Sequence, residues 1–334
     1  MIYSCVRKIA LLPIMVLMIL LLSSGLAGAF EGPLQLKNQF PLFLTLDSPR
    51  LESAAAETSF TAGFSYSSVY MVRHSASWTT DLDMEVADLD LMYRKNIPGL
   101  FELGIEVPIL SFSSGFMDGF LESYHKAFGF GDYGRSNRPE NAFLYEVRRD
   151  GVTVIKGKNG RIGLGDIRLS VKKEILTGDP IVSLKADVEL PTGDASAGFG
   201  SGSLDAGVAC IVNKRLGKKF MSYVNVGAVL PGTLKAEENI DTKTFVYGGA
   251  ALEAGPWANF SFLAQILFQG SPLPKTSIPQ VDRTAALLSF GARYHAGKDL
   301  FELSFTEDPN TAGAPDFTMN LTYKMVFRSK GIAR

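Results

Sequence analysis

Charged residues at every second position are the part of this sequence whose types and spacing could do chemistry. Period two is the spacing of side chains on one face of a β-strand, and segments 79–95 and 179–191 both carry charges in this pattern. On the inner face of a barrel, such side chains line a polar pore and bias its ion selectivity, or they pair with opposite charges and fill the lumen. The candidate lumen-lining residues are Asp81, Asp83, Glu85, Glu102, Glu106, Arg168, Lys172, Lys185, Asp187, Glu189, Arg293 and Lys324.

Catalytic chemistry has no convincing motif in this sequence. A catalytic triad requires a nucleophile, a base and an orienting group in contact. None of His74, His125 and His295 stands in a spacing that resembles outer-membrane phospholipase or lipid A deacylase motifs. The glycine run at 198–203 lacks the Lys-Ser/Thr pair that follows a phosphate-binding loop. We therefore predict no enzymatic activity and no cofactor.

The N-terminus has the pattern of an export signal. Arg7 and Lys8 form a basic region, residues 9–22 form an apolar region, and small residues precede a cleavage site after Ala29. This pattern is typical of a secretory signal peptide. The apolar run is shorter than the roughly 20 residues that a spanning helix needs. We expect residues 1–29 to be removed, with an uncleaved N-terminal anchor as the alternative.

The composition of the mature chain limits its chemistry further. Cleavage removes two basic residues, which leaves 31 Lys and Arg (33 minus 2) against 34 Asp and Glu. This near-neutral balance does not indicate nucleic-acid binding. Cys5 leaves with the signal and Cys210 remains alone, so an internal disulfide and a cysteine-based metal cluster are excluded. No apolar segment of helix length recurs, so any membrane span must be a strand.

Most of the mature chain alternates apolar and polar residues. In the last segment, Phe317, Leu321 and Met325 share one face, and Asn320 and Lys324 lie on the other. Membrane barrels alternate lipid-facing apolar residues with lumen-facing polar residues in this way. Twelve strands are predicted, at 59–73, 79–95, 100–112, 162–176, 179–191, 204–216, 218–230, 243–254, 257–270, 284–296, 299–307 and 315–328.

The connections between these strands alternate in length, from tight turns such as 96–99 to long loops such as 113–161. Short periplasmic turns and longer outer loops are typical of outer-membrane barrels, and an even strand count places both termini in the periplasm. Along 79–95 the apolar phase changes near Ala87 and Asp88, where we predict a β-bulge. A secreted soluble β-sandwich also alternates, but many of these strands exceed the roughly 5–6 residues that are usual in soluble proteins.

The predicted fold is therefore all-β, an antiparallel transmembrane β-barrel of about 12 strands that occupies residues 59–328. A tail at 329–334 follows it. Before it, residues 30–58 contain a short apolar segment between prolines. This segment could enter the lumen as a plug or lie in the periplasm along an edge of the barrel, and the sequence does not choose between these positions.

Loop 113–161 is predicted to carry a short amphipathic helix. The aromatic residues Phe116, Phe120, Tyr124 and Phe128 recur every four residues, which is helical spacing. They are candidates for a constriction if the helix folds into the barrel mouth. The helix could instead lie at the membrane interface or pack on the barrel lip. A hairpin is predicted after it, with its turn at residues 150–151.

Several motifs resemble an uncharacterised bacterial family, the domain-of-unknown-function family numbered 3187. They are NQFPLFL at 38–44, GFMDGFLESYHKAFG at 115–129, GLGDIRLSVK at 163–172 and LPTGD at 190–194. The last two are also similar to outer-membrane proteins linked with the phenol meta-cleavage pathway. These resemblances imply an outer-membrane barrel and, by association, transport of small compounds, hydrophobic ones included. They supply no catalytic or binding residues.

The function predicted from these observations is that of a passive channel or transporter for small solutes, narrowed by loop 113–161. A polar path and a lateral path for apolar solutes both remain open. The alternative is a closed structural or adhesive surface barrel without a pore. The expected partners are outer-membrane lipid, the barrel-assembly machinery and a small solute, without nucleic acid.

Overall fold

Antiparallel strands make up most of the fold, which we describe from a computed structural model of residues 30–129, 134, 138–257 and 259–327. The predicted signal peptide and C-terminal tail lie outside these residues. The strands are β1 (Ser59–His74), β2 (Trp78–Ile97), β3 (Phe101–Ser113), β4 (Leu144–Arg149), β5 (Val152–Lys156), β6 (Arg161–Leu164), β7 (Ile167–Leu176), β8 (Ile181–Leu190), β9 (Asp205–Arg215), β10 (Phe220–Leu230), β11 (Leu234–Lys235), β12 (Asn239–Ile240), β13 (Phe245–Trp257), β14 (Phe260–Gln269), β15 (Ala285–Ala296), β16 (Asp299–Glu307) and β17 (Phe317–Val326).

Twelve of these strands close into a barrel, which confirms the predicted fold class. They are β1–β3, β7–β10 and β13–β17, each antiparallel to its neighbours. The first and last strands meet along a seam in which Ser59 lies opposite Val326 and Ser68 lies opposite Phe317. Tight turns gather at one end of the barrel, called here the turn end, and longer loops gather at the other, the loop end. Residues 59 and 326 both lie at the turn end.

The alternation of side chains along the strands separates two environments. On β17, Leu321 faces outward and is 47% exposed, whereas Asn320 and Thr322 face inward and are buried. Outward positions on the other barrel strands also carry exposed apolar side chains, such as Phe290 and Phe305. An outward apolar band around a polar interior is the pattern of a barrel surrounded by lipid. Among the residues described, no helix is long and apolar enough to cross a membrane.

Residues 30–58 lie inside the barrel and are called the plug below. The plug rises from the turn end, forms the short helix α1 (Pro41–Leu44), and returns towards the start of β1. Its two legs run antiparallel and are bridged between Lys37 and Arg50. Proline at the start of α1 suits the first helical turn, where its missing N–H costs no hydrogen bond. Of the two positions considered for this segment, the structure has the one in the lumen.

The long loop after β3 divides between the outer wall and the barrel mouth. Helix α2 (Asp118–Phe128) lies against the outside of the barrel, where Met117 and Leu121 pack on Phe317 of β17. The β4–β5 hairpin then extends β2 beyond the barrel wall, and β6 pairs with β3. The hairpin turn is formed at the predicted position, with positive φ at both Asp150 and Gly151, as a two-residue hairpin turn requires.

The predicted bulge in β2 is wrong. Ala87 and Asp88 pair regularly with β1 and with β3, and neither ladder shifts register. The apolar phase changes there because the barrel interior changes. Nearer the turn end the inward residue is polar, as Asp90 is, whereas nearer the loop end Met84 and Val86 face inward into an apolar core.

Candidate functional site: a plugged lumen

The plug's basic side chains face carboxylates on β2 and β3. Lys37 Nζ lies 2.8 Å from Asp90 Oδ1 and 3.1 Å from Asp88 Oδ2. Arg50 pairs with Glu106 and lies 3.2 Å from Asp90. Asp88, Asp90 and Glu106 are called the acidic wall below. Its three carboxylates point inward because they occupy alternate positions on neighbouring strands, and the plug supplies two of their cations.

The plug's own carboxylates face basic side chains elsewhere in the barrel. Glu52 lies 2.7 Å from Lys185 and 3.5 Å from Arg94. Glu57 lies 2.8 Å from Lys324. A further pair of this kind is Asp47 with Arg168. The plug is therefore fixed on several sides of the lumen by charges of opposite sign. We call these pairs, together with the acidic wall and its two plug cations, the charged layer.

Arg293 holds the entrance of the plug at the turn end. Its guanidinium donates to Glu253 at 2.8 Å, to Glu302 at 2.8 Å and to the backbone carbonyl of Gly32 at 2.9 Å. The side chain is 2% exposed, and both carboxylates are buried beside it. A guanidinium that donates to two carboxylates and a backbone carbonyl compensates the cost of burying an arginine.

The charged layer shifts the pKa values of two plug groups, Lys37 and Glu52, in the direction of full ionisation. Burial alone lowers the pKa of the Lys37 ammonium, but the acidic wall outweighs burial and raises it above its ordinary range. Burial raises the pKa of the Glu52 carboxyl, but Lys185, Arg94 and Lys172 outweigh it and lower that pKa well below its ordinary value. Both plug groups are therefore charged at neutral pH and held as ion pairs.

Nearer the loop end, the plug enters an apolar core. Helix α1 and its neighbour Phe40 belong to one buried cluster with Leu82, Met84 and Phe112 of the wall. Side chains of the loops, Tyr145 among them, cover this cluster at the loop end of the barrel. We call α1, Phe40 and these surrounding side chains the apolar layer. The loop residues in it include Val147, Val154, Ile155, Phe199, Leu234, Ile240, Leu273, Ile278 and Val281.

Little free space remains beside the plug in the charged layer. A cavity of about 20 Å³ lies between Glu52, Arg94, Glu106 and Arg168, which is room for about one water molecule. This cavity is too small for a solute.

Most of the sequence-predicted lumen residues do lie inside the barrel. Several of them contact the plug directly, and Lys172 donates to Ser53 O at 3.0 Å. The residues found inside are Glu102, Glu106, Arg168, Lys172, Lys185, Asp187, Glu189, Arg293 and Lys324.

Asp81, Asp83 and Glu85 lie outside the lumen, which corrects the prediction for these three. Asp81 lies 2.9 Å from His74 and Asp83 lies 2.5 Å from Arg138. Glu85 accepts hydrogen bonds from the start of helix α2. The prediction placed polar residues inward throughout β2, but its loop-end half has the apolar core inside and polar loop contacts outside.

The predicted constriction also differs from the structure. Phe116 and Phe120 lie on the outer wall, where they are 74% and 54% exposed, so they narrow no path through the lumen. The side chains of Tyr124 and Phe128 lie outside the described part of the chain. The helix packs outward because Met117 and Leu121 meet apolar side chains of the wall there.

Two glycine-rich motifs meet at Asp166, near the loop end. The Asp166 carboxylate accepts from Gly193 N and from Ser201 N, both at 2.7 Å. A Cβ on Gly200 would lie 2.3 Å from this carboxylate, so only glycine fits there. The separated GLGD and LPTGD motifs thus form one structural site that anchors the loop carrying Phe199 over the apolar layer.

The sequence analysis missed the plug's charges and two of the three carboxylates of the acidic wall. Lys37, Arg50 and Glu52 lie in a segment without strand periodicity, so no pattern predicted their wall partners. Asp88 and Asp90 could have been found, since they continue the inward face of the turn-end half of β2.

The comparisons with known proteins agree with this architecture. The chain matches the family described as protein of unknown function (DUF3187) over residues 9–327. The chain belongs to this family. No curated protein sequence matches this DUF3187 chain.

Solved structures of similar shape are outer-membrane barrels. The COG4313 outer membrane channel from Pseudomonas putida F1 has a TM-score of 0.54 at 16% identity, with 82% of this chain and 96% of that chain covered. The NanC porin has a TM-score of 0.47 at 8% identity, with 81% and 100% covered. The P. putida toluene transporter TodX has a TM-score of 0.39 at 8% identity, with 82% and 91% covered. The first of these shows that the DUF3187 chain has an outer-membrane barrel fold.

Proposed function

We propose that this DUF3187 chain is an outer-membrane channel for small solutes and that its plug closes it. The observation that carries the proposal is that a separate chain segment, rather than side chains of the wall alone, fills the lumen. The plug is joined to the wall only through residue 58, and contacts that can be broken hold the rest. Its displacement, together with a movement of the loops that cover the apolar layer, would open a path without separating any barrel strands.

In this proposal the signal peptide exports the chain, the barrel-assembly machinery inserts it, and both termini lie in the periplasm. The outward apolar band meets outer-membrane lipid. The solute would meet an apolar layer first and a charged layer second. That order suits small compounds with substantial apolar surface, in line with the resemblance to proteins linked with phenol degradation. We propose no enzymatic step.

A closed structural barrel is the second candidate, and one observation favours it. The charges of the plug and wall are paired in the structure, and the cavity between Glu52, Arg94, Glu106 and Arg168 measures about 20 Å³. A barrel sealed permanently in this way would serve adhesion or membrane structure through its outer loops.

Single-channel conductance in planar bilayers tests the two candidates. The mature protein is compared with a variant that lacks residues 31–56. Discrete conductance steps in the deletion variant, with rare or no steps in the intact protein, are expected for a plugged channel. Silence in both would favour the closed barrel.

A reversible lock tests the same point in a chain that keeps its plug. Ser53 Oγ lies 2.9 Å from Asn213 Nδ2 across the plug–wall contact, so Ser53→Cys with Asn213→Cys places two thiols close together. Cys210 is replaced by serine in this variant. Any openings should disappear on oxidation and return on reduction, whereas the matched single-cysteine variants should ignore both treatments. Openings that persist in the oxidised lock would rule out plug movement as the gate.

A further inference from the structure

Helix α2 is held against the barrel wall, and two aromatic side chains at its start remain more than half exposed beside the wall. Met117 and Leu121 pack on the wall at Phe317, with Tyr66 and Met319 beside them. Phe116 and Phe120, by contrast, are the two large apolar side chains that the start of the helix exposes. The start of the helix therefore packs on the barrel through one apolar face and leaves much of a second apolar face, the open face, exposed, although Phe120 also touches Phe317 with ring centroids 5.9 Å apart.

The depth of α2 on the wall decides what the open face meets. Phe116 stacks on Tyr66 with ring centroids 5.4 Å apart. Tyr66 lies six residues along β1 from Phe60, which faces outward near the turn end. At ~3.3 Å per residue and a strand tilt of about 40°, this is a height of roughly 15 Å above Phe60. The apolar band of an outer-membrane barrel is about 25 Å tall, so Phe116 lies within it.

The wall around α2 is itself part of that band. Tyr66 pairs with Met319 across the β1–β17 seam, and the next outward pair along it is Phe64 with Leu321. Phe64 and Leu321 are exposed, as is Phe305 on the adjoining strand. The open face of α2 is therefore continuous with the surface that lipid covers, and lipid is the occupant that this continuity favours over water or a protein partner.

A helix end at this depth needs partners for its free backbone N–H groups, because hydrocarbon supplies none. Glu85 supplies partners for the two N–H groups that directly precede the helix. Its Oε1 accepts from Phe116 N at 2.8 Å and from Met117 N at 2.5 Å. Gly115, with φ of +65°, turns the chain directly over this carboxylate, and a Cβ there would collide with it. Glu85, which the sequence analysis assigned to the lumen, thus has a role on the outer wall.

We propose that α2 is an interfacial helix inserted into the leaflet on the loop side, with Phe116 and Phe120 among the acyl chains. It covers the seam between the first and last strands and anchors that seam to lipid. The inference rests on the membrane placement in the proposed function but not on solute transport.

Tryptophan fluorescence in vesicles of phosphatidylcholine, with and without bromine on the acyl chains, tests this inference. Phe116→Trp and Phe120→Trp are measured against two matched variants. Phe305→Trp lies on the lipid-facing wall, and Val152→Trp lies at the exposed β4–β5 turn. The wild-type signal is subtracted, since Trp78 and Trp257 are both buried. A band shift between heated and unheated samples on a denaturing gel confirms that each variant is folded.

We expect brominated lipid to quench the introduced indole of Phe116→Trp, Phe120→Trp and Phe305→Trp to a similar degree and to leave that of Val152→Trp unquenched. Quenching of the Phe116→Trp variant by aqueous iodide instead would overturn the inference, because it would place the helix in water. Shielding of this variant from both quenchers would also overturn it, because a second copy of the chain would then cover the face. If brominated lipid does not quench the Phe305→Trp variant either, the placement of the barrel in the membrane fails. This outcome is therefore distinct from a failure of the inference about α2 alone.

Discussion

The two layers of the lumen hold the same plug by different physical means. In the apolar layer, the tip of the plug, which is helix α1 with Phe40, is buried among aliphatic and aromatic side chains. Phe40 and Phe43 are fully buried there. In the charged layer, the legs are held by ion pairs at defined distances, such as Lys37 with Asp90. Hydrophobic burial is non-directional, whereas ion pairs fix position. The comparison indicates that the tip supplies most of the affinity and the legs set the register.

The two layers also differ in the hydration free energy that the plug recovers when it leaves the lumen. Charges of the legs and wall recover their hydration, which offsets much of the lost pairing, since a buried ion pair contributes little net stability. The tip exposes apolar surface to water, and no favourable hydration offsets that cost. A plug held in this way binds tightly in the lumen but can still dissociate from it. Substitutions at its tip should lower its affinity for the lumen most.

Phe43→Ala should have the largest effect on plug docking. Truncating a fully buried phenylalanine costs about 3–5 kcal/mol, which corresponds to a rise of roughly 10²- to 4 × 10³-fold in the undocked fraction at tenfold per 1.4 kcal/mol. The measurement is the rate of trypsin cleavage after Lys37, a bond that is protected while the plug is docked.

Phe43→Leu serves as the control for this prediction, because it keeps most of the apolar volume and should raise the cleavage rate much less. Equal cleavage rates for wild type and Phe43→Ala would show that the apolar layer does not hold the plug.

The strands of the barrel were predictable from the sequence because each one separates two constant environments. The segment that forms β17 alternates over its full length, since lipid lies on one side and the polar lumen on the other. The same rule failed in the loop-end half of β2, where Leu82, Met84 and Val86 face an interior that the plug and the loops have made apolar.

The plug was harder to predict for a related reason. Its residues contact many strands in turn, so no single face imposes a period on the sequence. Its charges find their partners only after the barrel has closed, as in the pair of Arg50 with Glu106, which are 56 residues apart. The resemblance motif NQFPLFL contained the tip of the plug, but nothing in it indicated the contacts of the legs.

Arg50→Met should have the second-largest effect. It leaves Asp90 and Glu106 buried with one cation fewer, and breaking a buried pair from one side costs about 3 kcal/mol. The loss of docking free energy is reduced because Lys37 still faces Asp90 and Glu106. Cleavage after Lys37 should accelerate by up to about 100-fold, following the same tenfold per 1.4 kcal/mol.

A second substitution separates this charge effect from a packing effect. Glu106→Gln added to Arg50→Met restores the charge balance of the acidic wall and should recover part of the protection. The same Glu106→Gln added to Phe43→Ala should recover none. Recovery in both backgrounds would mean that the two layers are not independent.

The smallest effect is a dependence on acid that belongs to the charged layer alone. Lys185, Arg94 and Lys172 overcome the effect of burial and lower the pKa of Glu52 well below its ordinary 4.5. A carboxyl whose pKa is lowered in the docked state stabilises that state at pH values above its ordinary pKa, and this contribution is lost as pH falls through the lowered value. The Glu52 contribution to docking should therefore be constant from pH 7 to about 4.5 and decline only in stronger acid. Channel openings of wild type and Glu52→Gln, recorded from pH 7 to 3, isolate this contribution as their difference. Openings should be more frequent at every pH in a Phe43→Ala background. The difference between wild type and Glu52→Gln should persist there, because Phe43 lies in the apolar layer and does not contact the charges around Glu52. A difference that vanishes between pH 7 and 5 would instead show that Glu52 is not held as an ion pair in the docked plug.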